Sequence, residues 1–95
     1  MNAPGDHRIT LPADLRIGAA APTWALFVEG MEAATVVIDA SHVSKVDASG
    51  LQLLAAAVAR LRAAGTAWRW HEASEALRGA AQLAGLAVAL ELEPT

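Results

Sequence analysis

The sequence of 95 residues contains no cysteine, and its seven lysines and arginines are scattered from Arg8 to Arg78. Without thiols, neither a disulfide framework nor a thiolate metal site can form. The formal charge of −3 and the lack of a basic run leave no electrostatic footprint for a nucleic-acid backbone. We therefore expect no nucleic-acid partner.

Long apolar runs are also missing. The longest run, residues 53–59, ends at Arg60, whereas a membrane-spanning helix needs about 20 apolar residues. Residues 1–8 include Pro4 and Gly5 and lead into no apolar segment of the kind found in secretory signals. We expect a protein that does not insert into a membrane and that is located in the cytoplasm.

Motifs of common catalytic and cofactor sites are absent too. The histidines His7, His42 and His71 have no spacing that places two of them on one helix face as metal ligands. Ser49, His42 and Asp39 contain the residue types of a hydrolase triad, but the sequence has no G-x-S-x-G motif. It has no glycine-rich phosphate motif either. We predict no catalytic residue, no metal and no cofactor.

Hydrophobic residues make up 55% of the chain and charged residues 18%, which is typical of a folded domain. We expect a flexible tail over residues 1–8 and one domain over residues 9–95. Periodicity predicts two short strands around Pro12, helix 21–31, strand 35–40, helix 49–64, strand 66–71, a short helix capped by Ser74, and a last strand with Val88, Leu90 and Leu92. The order ββαβαβαβ indicates an α/β fold, with helices packed against a mixed β-sheet.

The most distinctive segment is the start of the long helix at Asp47, Ala48, Ser49 and Gly50. It follows the β-branched strand after a short loop. A helix N-terminus offers unpaired backbone N–H groups and the positive end of a dipole, so an acidic or hydroxyl side chain there can cap the helix or frame an anion site. We therefore place the candidate functional site at this junction.

Residues 36–41 and 46–51 resemble the strand, loop and Asp-Ser/Thr-x-Gly-Leu helix start of STAS domains, the fold of bacterial anti-sigma factor antagonists. Residues 65–70 and 73–86 are similar to the fourth strand and third helix of that family. The resemblance implies a single STAS domain without enzymatic activity. It also implies a signalling adaptor whose protein partner is an anti-sigma factor kinase or a chemotaxis kinase assembly.

In that family, the residue after the aspartate is often a serine or threonine that the partner kinase phosphorylates. Here that position is Ala48, which has no hydroxyl group. Ser49 is one residue further on, which is about 100° around a helix, so it is either a displaced phosphoacceptor or a residue that caps the helix. Asp47 is likewise either the helix cap or a contact for a partner kinase.

The long helix carries small and polar residues beside its leucine stripe: Gln52, Ala55, Ala56 and Ala59. Small side chains allow a partner helix or a second copy of the chain to approach closely, although alanine is also favoured in helices for its propensity alone. Trp68 and Trp70 alternate along a strand and are either core residues or, if exposed, interface residues.

A second hypothesis is that the chain is a constitutive subunit of a larger complex. Residues 41–47 resemble the corresponding loop of the STAS subunit of a phospholipid-trafficking ABC transporter, which holds its ATPase without phosphorylation. Ala48 favours this hypothesis, because a chain without the acceptor hydroxyl cannot be switched at that position.

Overall fold

The computed structural model describes residues 6–92. Within them the chain forms, in order, β1 (Asp6–Thr10), β2 (Asp14–Leu15), a 3₁₀ helix (Ile17–Ala19), α1 (Ala20–Gly30), β3 (Thr35–Asp39), β4 (Lys45–Val46), α2 (Ala48–Ala63), β5 (Ala67–His71) and α3 (Glu75–Leu83). The α/β class predicted from the sequence is confirmed. The strand β4 and the 3₁₀ helix are too short to produce a periodic signal.

The sheet has the strand order β1–β3–β5, and both pairings are parallel. Ile38 in the central strand pairs with Ile9 on one side and Trp70 on the other. Strands β2 and β4 form a separate parallel pair of two residues each. The sequence led us to expect a mixed sheet, but every strand pairing in residues 6–92 is parallel. The reason is that helical crossovers join the neighbouring strands.

Helices α1 and α2 cover one face of this sheet. The steps from β1 to β3 and from β3 to β5 run in the same direction, and right-handed crossovers in one direction place their helices on one face. Val36 and Ile38 belong to the main hydrophobic core on that face. Val37 between them is fully buried but lies outside this core, and its partners in register are Arg8 and Arg69. The opposite face is therefore polar around one buried valine.

The start of the chain differs from the predicted boundary. Strand β1 begins at Asp6, so residues 6–8 pair with β3 instead of belonging to a tail. Residues 1–5 lie outside the described residues. Parallel pairing with the central strand explains the difference, because it extends to Asp6, opposite Thr35.

The last predicted strand is a turn in the structure. Leu90 donates its backbone N–H to the carbonyl of Leu86, and Leu92 donates to that of Ala87. Both leucines are fully buried, whereas Val88 is 70% exposed. Glu91 lies between the two leucines in the left-handed region with a φ of 55°, and this change in chain direction lets Leu90 and Leu92 both reach the core. Residues 93–95 lie outside the described residues.

Trp68 and Trp70 are half-buried and pack against the core, with their rings in an edge-to-face arrangement 5.8 Å apart. The Trp70 Nε1–H donates a hydrogen bond to the carbonyl of Leu90 at 2.7 Å. The Arg62 guanidinium lies 5.7 Å from the Trp68 ring centre and pairs with Glu91. Both tryptophans therefore border the core, between the two interpretations offered by the sequence, and Trp70 also holds the C-terminal turn.

Candidate functional site

The site lies where β4 enters α2. Asp47 is the N-cap of α2 and has an extended backbone. Its Oδ1 atom accepts the backbone N–H of Gly50 at 2.9 Å and the hydroxyl of Ser49 at 2.6 Å. Its Oδ2 atom accepts the backbone N–H of Ile17 at 3.2 Å. One carboxylate therefore caps the helix and joins it to the 3₁₀ helix, which is 30 residues earlier in the chain.

These hydrogen bonds keep Asp47 ionised. The hydroxyl of Ser49 is the largest cause that lowers the pKa of Asp47 below its ordinary value, followed by the N–H of Gly50; the N–H of Ile17 also lowers it. Partial desolvation raises the pKa but does not outweigh them. Hydrogen bonds to the charged form have this effect because protonation would break them. The site is thus a fixed negative charge whose acceptor positions are occupied by the chain itself.

Ser49 donates a hydrogen bond to the capping carboxylate, but the cap itself is Asp47. The side chain of Ser49 is half-buried, and its hydroxyl is the donor. Of the two interpretations of Asp47, the helix cap is the one visible in the geometry, because its carboxylate accepts the N–H three residues on. Ala48, at the position of the family's phosphoacceptor, is the first residue of α2 and is exposed.

Gly50 sets the distance between α2 and β2. It is buried, and a Cβ atom built there would overlap the backbone carbonyl oxygen of Leu15 and press on the Val46 side chain at 3.1 Å. Only glycine allows this approach without a shift of the backbone. Gly50 therefore allows α2 to pack closely against β2, and it offers no side chain to a partner.

The predicted helix face is largely open. Gln52, Ala56 and Ala59 are exposed on α2. Ala55 is half-buried and packs against the core, so it lies at the edge of this face. The helix ends at the predicted place, with Gly65 in the left-handed region at a φ of 71°.

The structure adds residues that sequence patterns did not single out. Ile17 is 75% exposed although it is apolar, and its N–H is the one bound by Asp47. It lines an open depression of about 540 Å³ together with Asp14 and Arg16, among other residues. Arg16 holds Asp14 through two hydrogen bonds of 2.7 Å, which lower the pKa of Asp14. No sequence signal connects Ile17 with Asp47, because only the tertiary fold brings them together.

A second carboxylate, Asp39, ends the central strand. It accepts the hydroxyl of Ser41 at 2.7 Å, the Ser41 N–H at 3.0 Å and the Arg8 guanidinium at 2.9 Å. These bonds, led by the hydroxyl, lower the pKa of Asp39 to about 2. Asp39 is 7% exposed, and it fastens β1 and the β3–β4 loop to the central strand.

The residues of the hypothetical triad are engaged elsewhere. Ser49 is bonded to Asp47, Asp39 is bonded to Ser41 and Arg8, and His42 makes no hydrogen bond within residues 6–92. In the same part of the chain, no group of three or more His, Cys, Asp or Glu residues is placed to hold a metal ion. None of the described helices is long and apolar enough to cross a membrane.

Comparison with protein families agrees with the fold. The model of the family described as "Mlab, STAS domain" matches residues 2–93, almost the whole chain. The chain therefore belongs to the STAS domain family, as its resemblance implied. STAS domains are typically non-enzymatic binding or regulatory domains and generally mediate protein–protein interactions. No curated protein matches the chain.

Proposed function

We propose that this chain is a non-enzymatic adaptor of the anti-sigma factor antagonist type, which binds a protein partner in the cytoplasm. The docking surface, called the α2 surface below, consists of the helix start at residues 47–50, the helix face with Gln52, Ala55, Ala56 and Ala59, and the neighbouring Ile17. Membership of a family that generally mediates protein–protein interactions supports this proposal.

The observation that carries the proposal is an exposed line of uncharged residues along the full length of α2. Its members are Ala48, Gln52, Ala56 and Ala59 of the α2 surface and, beyond that surface, Ala63; all are exposed and spaced three or four residues apart. A helix face that only meets water normally carries charged side chains. Small uncharged side chains allow the backbone of a partner to come close and lower the cost of removing water from the interface.

Ile17 supplies an apolar anchor at one end of this line. Its side chain is 75% exposed, while its backbone N–H is fixed by the carboxylate of Asp47. The side chain is therefore presented by a segment that is held in place, which reduces the entropy lost on binding.

The test is affinity purification from native cell extract with the tagged protein and its variants as baits. We expect Ala56→Arg and Ile17→Asp each to lose a partner that the wild type retains. The matched control is Ala76→Arg, which places the same side chain at an exposed alanine of α3. Circular dichroism of each variant verifies that it is folded. A partner held equally by Ala56→Arg and Ala76→Arg would exclude the α2 surface.

A second candidate function is a constitutive subunit of a larger complex, such as a phospholipid-trafficking ABC transporter, in which the partner is an ATPase. Two features of the helix start favour it. Ala48 has no hydroxyl at the phosphoacceptor position, and the hydroxyl of Ser49 is half-buried and bonded to Asp47. A phosphate on Ser49 would lie beside this carboxylate, and like charges at such a distance repel.

The intact mass of the purified bait separates the two candidates. Capture of a kinase together with a phosphate-sized increase in mass that is absent from Ser49→Ala would support the switched adaptor. Capture of an equimolar partner by unmodified bait, with equal yield from Ser49→Ala, would support the constitutive subunit. Loss of that partner from Ala56→Arg tests the docking surface in either case.

A further inference from the structure

We infer that the structure contains a small-molecule site at the carboxyl end of β1, separate from the α2 surface. An open pocket of about 370 Å³ lies between the segment after β1 and the first turns of α1. Its walls are mainly apolar and include Leu11, Pro12, Pro22 and Leu26. This volume is within the range of small-molecule pockets.

The observation that points to a ligand is the hydroxyl of Thr23. The residue is only 2% exposed and lines the pocket, yet its side chain makes no hydrogen bond within residues 6–92. No fully inaccessible polar side-chain atom in this part of the chain lacks a partner. The Thr23 oxygen must therefore retain a small accessible area, and our inference places this area in the pocket that the residue lines.

The chemistry of the lining defines the class of ligand. Besides the apolar walls, the pocket is lined by Ala19 and by two hydroxyl residues, Thr23 and Thr10, and by no charged side chain. A charged ligand would lose its hydration without gaining a counter-charge. The pocket therefore takes a small, uncharged and largely apolar molecule with one hydrogen-bonding group, which pairs with the hydroxyl of Thr23.

The test uses cyclohexanol as the probe and methyl NMR spectra of the full chain as the readout. We expect saturable shifts that are confined to the methyl groups of the lining residues Thr10, Leu11, Ala19, Thr23 and Leu26. For a probe of this size the dissociation constant is expected on the order of a millimolar. Cyclohexylammonium, which has the same ring but a positive charge, is expected to bind at least about tenfold more weakly.

Variants of Thr23 test the hydroxyl itself. Thr23→Val keeps the shape of the side chain and is expected to weaken cyclohexanol binding about threefold to tenfold, the effect of one lost hydrogen bond. Thr23→Ser retains the hydroxyl and should bind more tightly than Thr23→Val. The matched control is Thr35→Val in β3, outside the pocket lining, which should leave the affinity unchanged.

Three results would overturn the inference. The first is the absence of saturable shifts at these five methyl-bearing residues in the wild-type protein. The second is equal affinity of the wild type and Thr23→Val for cyclohexanol. The third is binding of cyclohexylammonium as tightly as cyclohexanol, which would contradict the uncharged class of ligand. If Thr23→Val does not fold, the wild-type shifts and the comparison of cyclohexylammonium with cyclohexanol still test the inference.

Discussion

Gly50, in the first turn of α2, faces the backbone carbonyl oxygen of Leu15 so closely that no Cβ atom fits between them. Because the opposing atom belongs to the backbone, it cannot rotate away as a side chain could. The helix that carries the α2 surface and the strand that leads to the 3₁₀ helix are therefore joined at this point. The Asp47 carboxylate joins α2 to the 3₁₀ helix that follows this strand, through the N–H groups of Gly50 and Ile17.

This contact predicts that Gly50→Ala destabilises the protein by about 1 to 3 kcal/mol, the usual cost of forcing extra volume into a packed site. The measurement is the free energy of unfolding in urea. The control is Gly79→Ala in α3, where nothing lies within 4 Å of the added Cβ. There we expect stabilisation by about 0.5 to 1 kcal/mol, because alanine is the better helix former. Equal effects of the two substitutions would contradict the predicted clash.

Asp39 should make the free energy of unfolding depend on pH in the acidic range. Its pKa in the folded protein is about 2, against an ordinary value of 3.8. Since the folded-state pKa is the lower one, its contribution is complete above about pH 4 and is lost as the pH falls through 3.8 towards 2. We expect Asp39→Asn to cost about 1 to 3 kcal/mol at pH 7, and this difference from the wild type to shrink towards pH 2.

Urea unfolding at pH 7, 4 and 2 measures this difference. The control is Asp14→Asn, whose partner Arg16 and own side chain are both 52% exposed. Exposed ion pairs contribute little to stability, so the urea midpoint should hardly change. A constant difference between the wild type and Asp39→Asn over this pH range would show that the charge of Asp39 is not the stabilising feature.

The hydroxyl of Ser49 should govern the ionisation of Asp47. It is the largest cause of the lowered pKa of Asp47, so we expect Ser49→Ala to raise that pKa towards its ordinary value. Carboxyl NMR titration of Asp47 measures the change. Ser41→Ala serves as the control, because it removes the hydroxyl bonded to Asp39 and should raise the pKa of that residue alone. An unchanged titration of Asp47 in Ser49→Ala would refute the hydrogen bond.

Trp70 should hold the C-terminal turn through its indole N–H. In Trp70→Phe the carbonyl of Leu90 loses its donor, so we expect a loss of about 1 kcal/mol and faster hydrogen exchange in residues 90–92. Trp24→Phe is the control, since the Trp24 side chain is half-buried but makes no hydrogen bond within residues 6–92. Exchange of residues 90–92 should then remain slow. Faster exchange in both variants would mean that a general loss of stability, and not the hydrogen bond from Trp70, is responsible.

Local patterns predicted those elements whose signal is contained in a short segment. The stripe of Leu51, Leu54, Val58 and Leu61 faces the core from a helix that ends before Gly65, because helical periodicity and a C-terminal glycine are both local properties. The strand predicted from the apolar alternation at residues 88–92 was wrong, because a turn with the left-handed residue Glu91 also buries Leu90 and Leu92 two positions apart.

The sequence by itself determined the α/β class, the main helix and the family, and it offered the cap at Asp47 as one of two interpretations, because these depend on neighbouring residues. Only the tertiary structure decided that Ile17 lies beside Asp47, that Leu15 leaves no room at Gly50, and that Thr23 opens into a pocket. Such contacts join residues up to 35 positions apart in the chain. They depend on how the strands pair and how the helices cross, which no local pattern specifies.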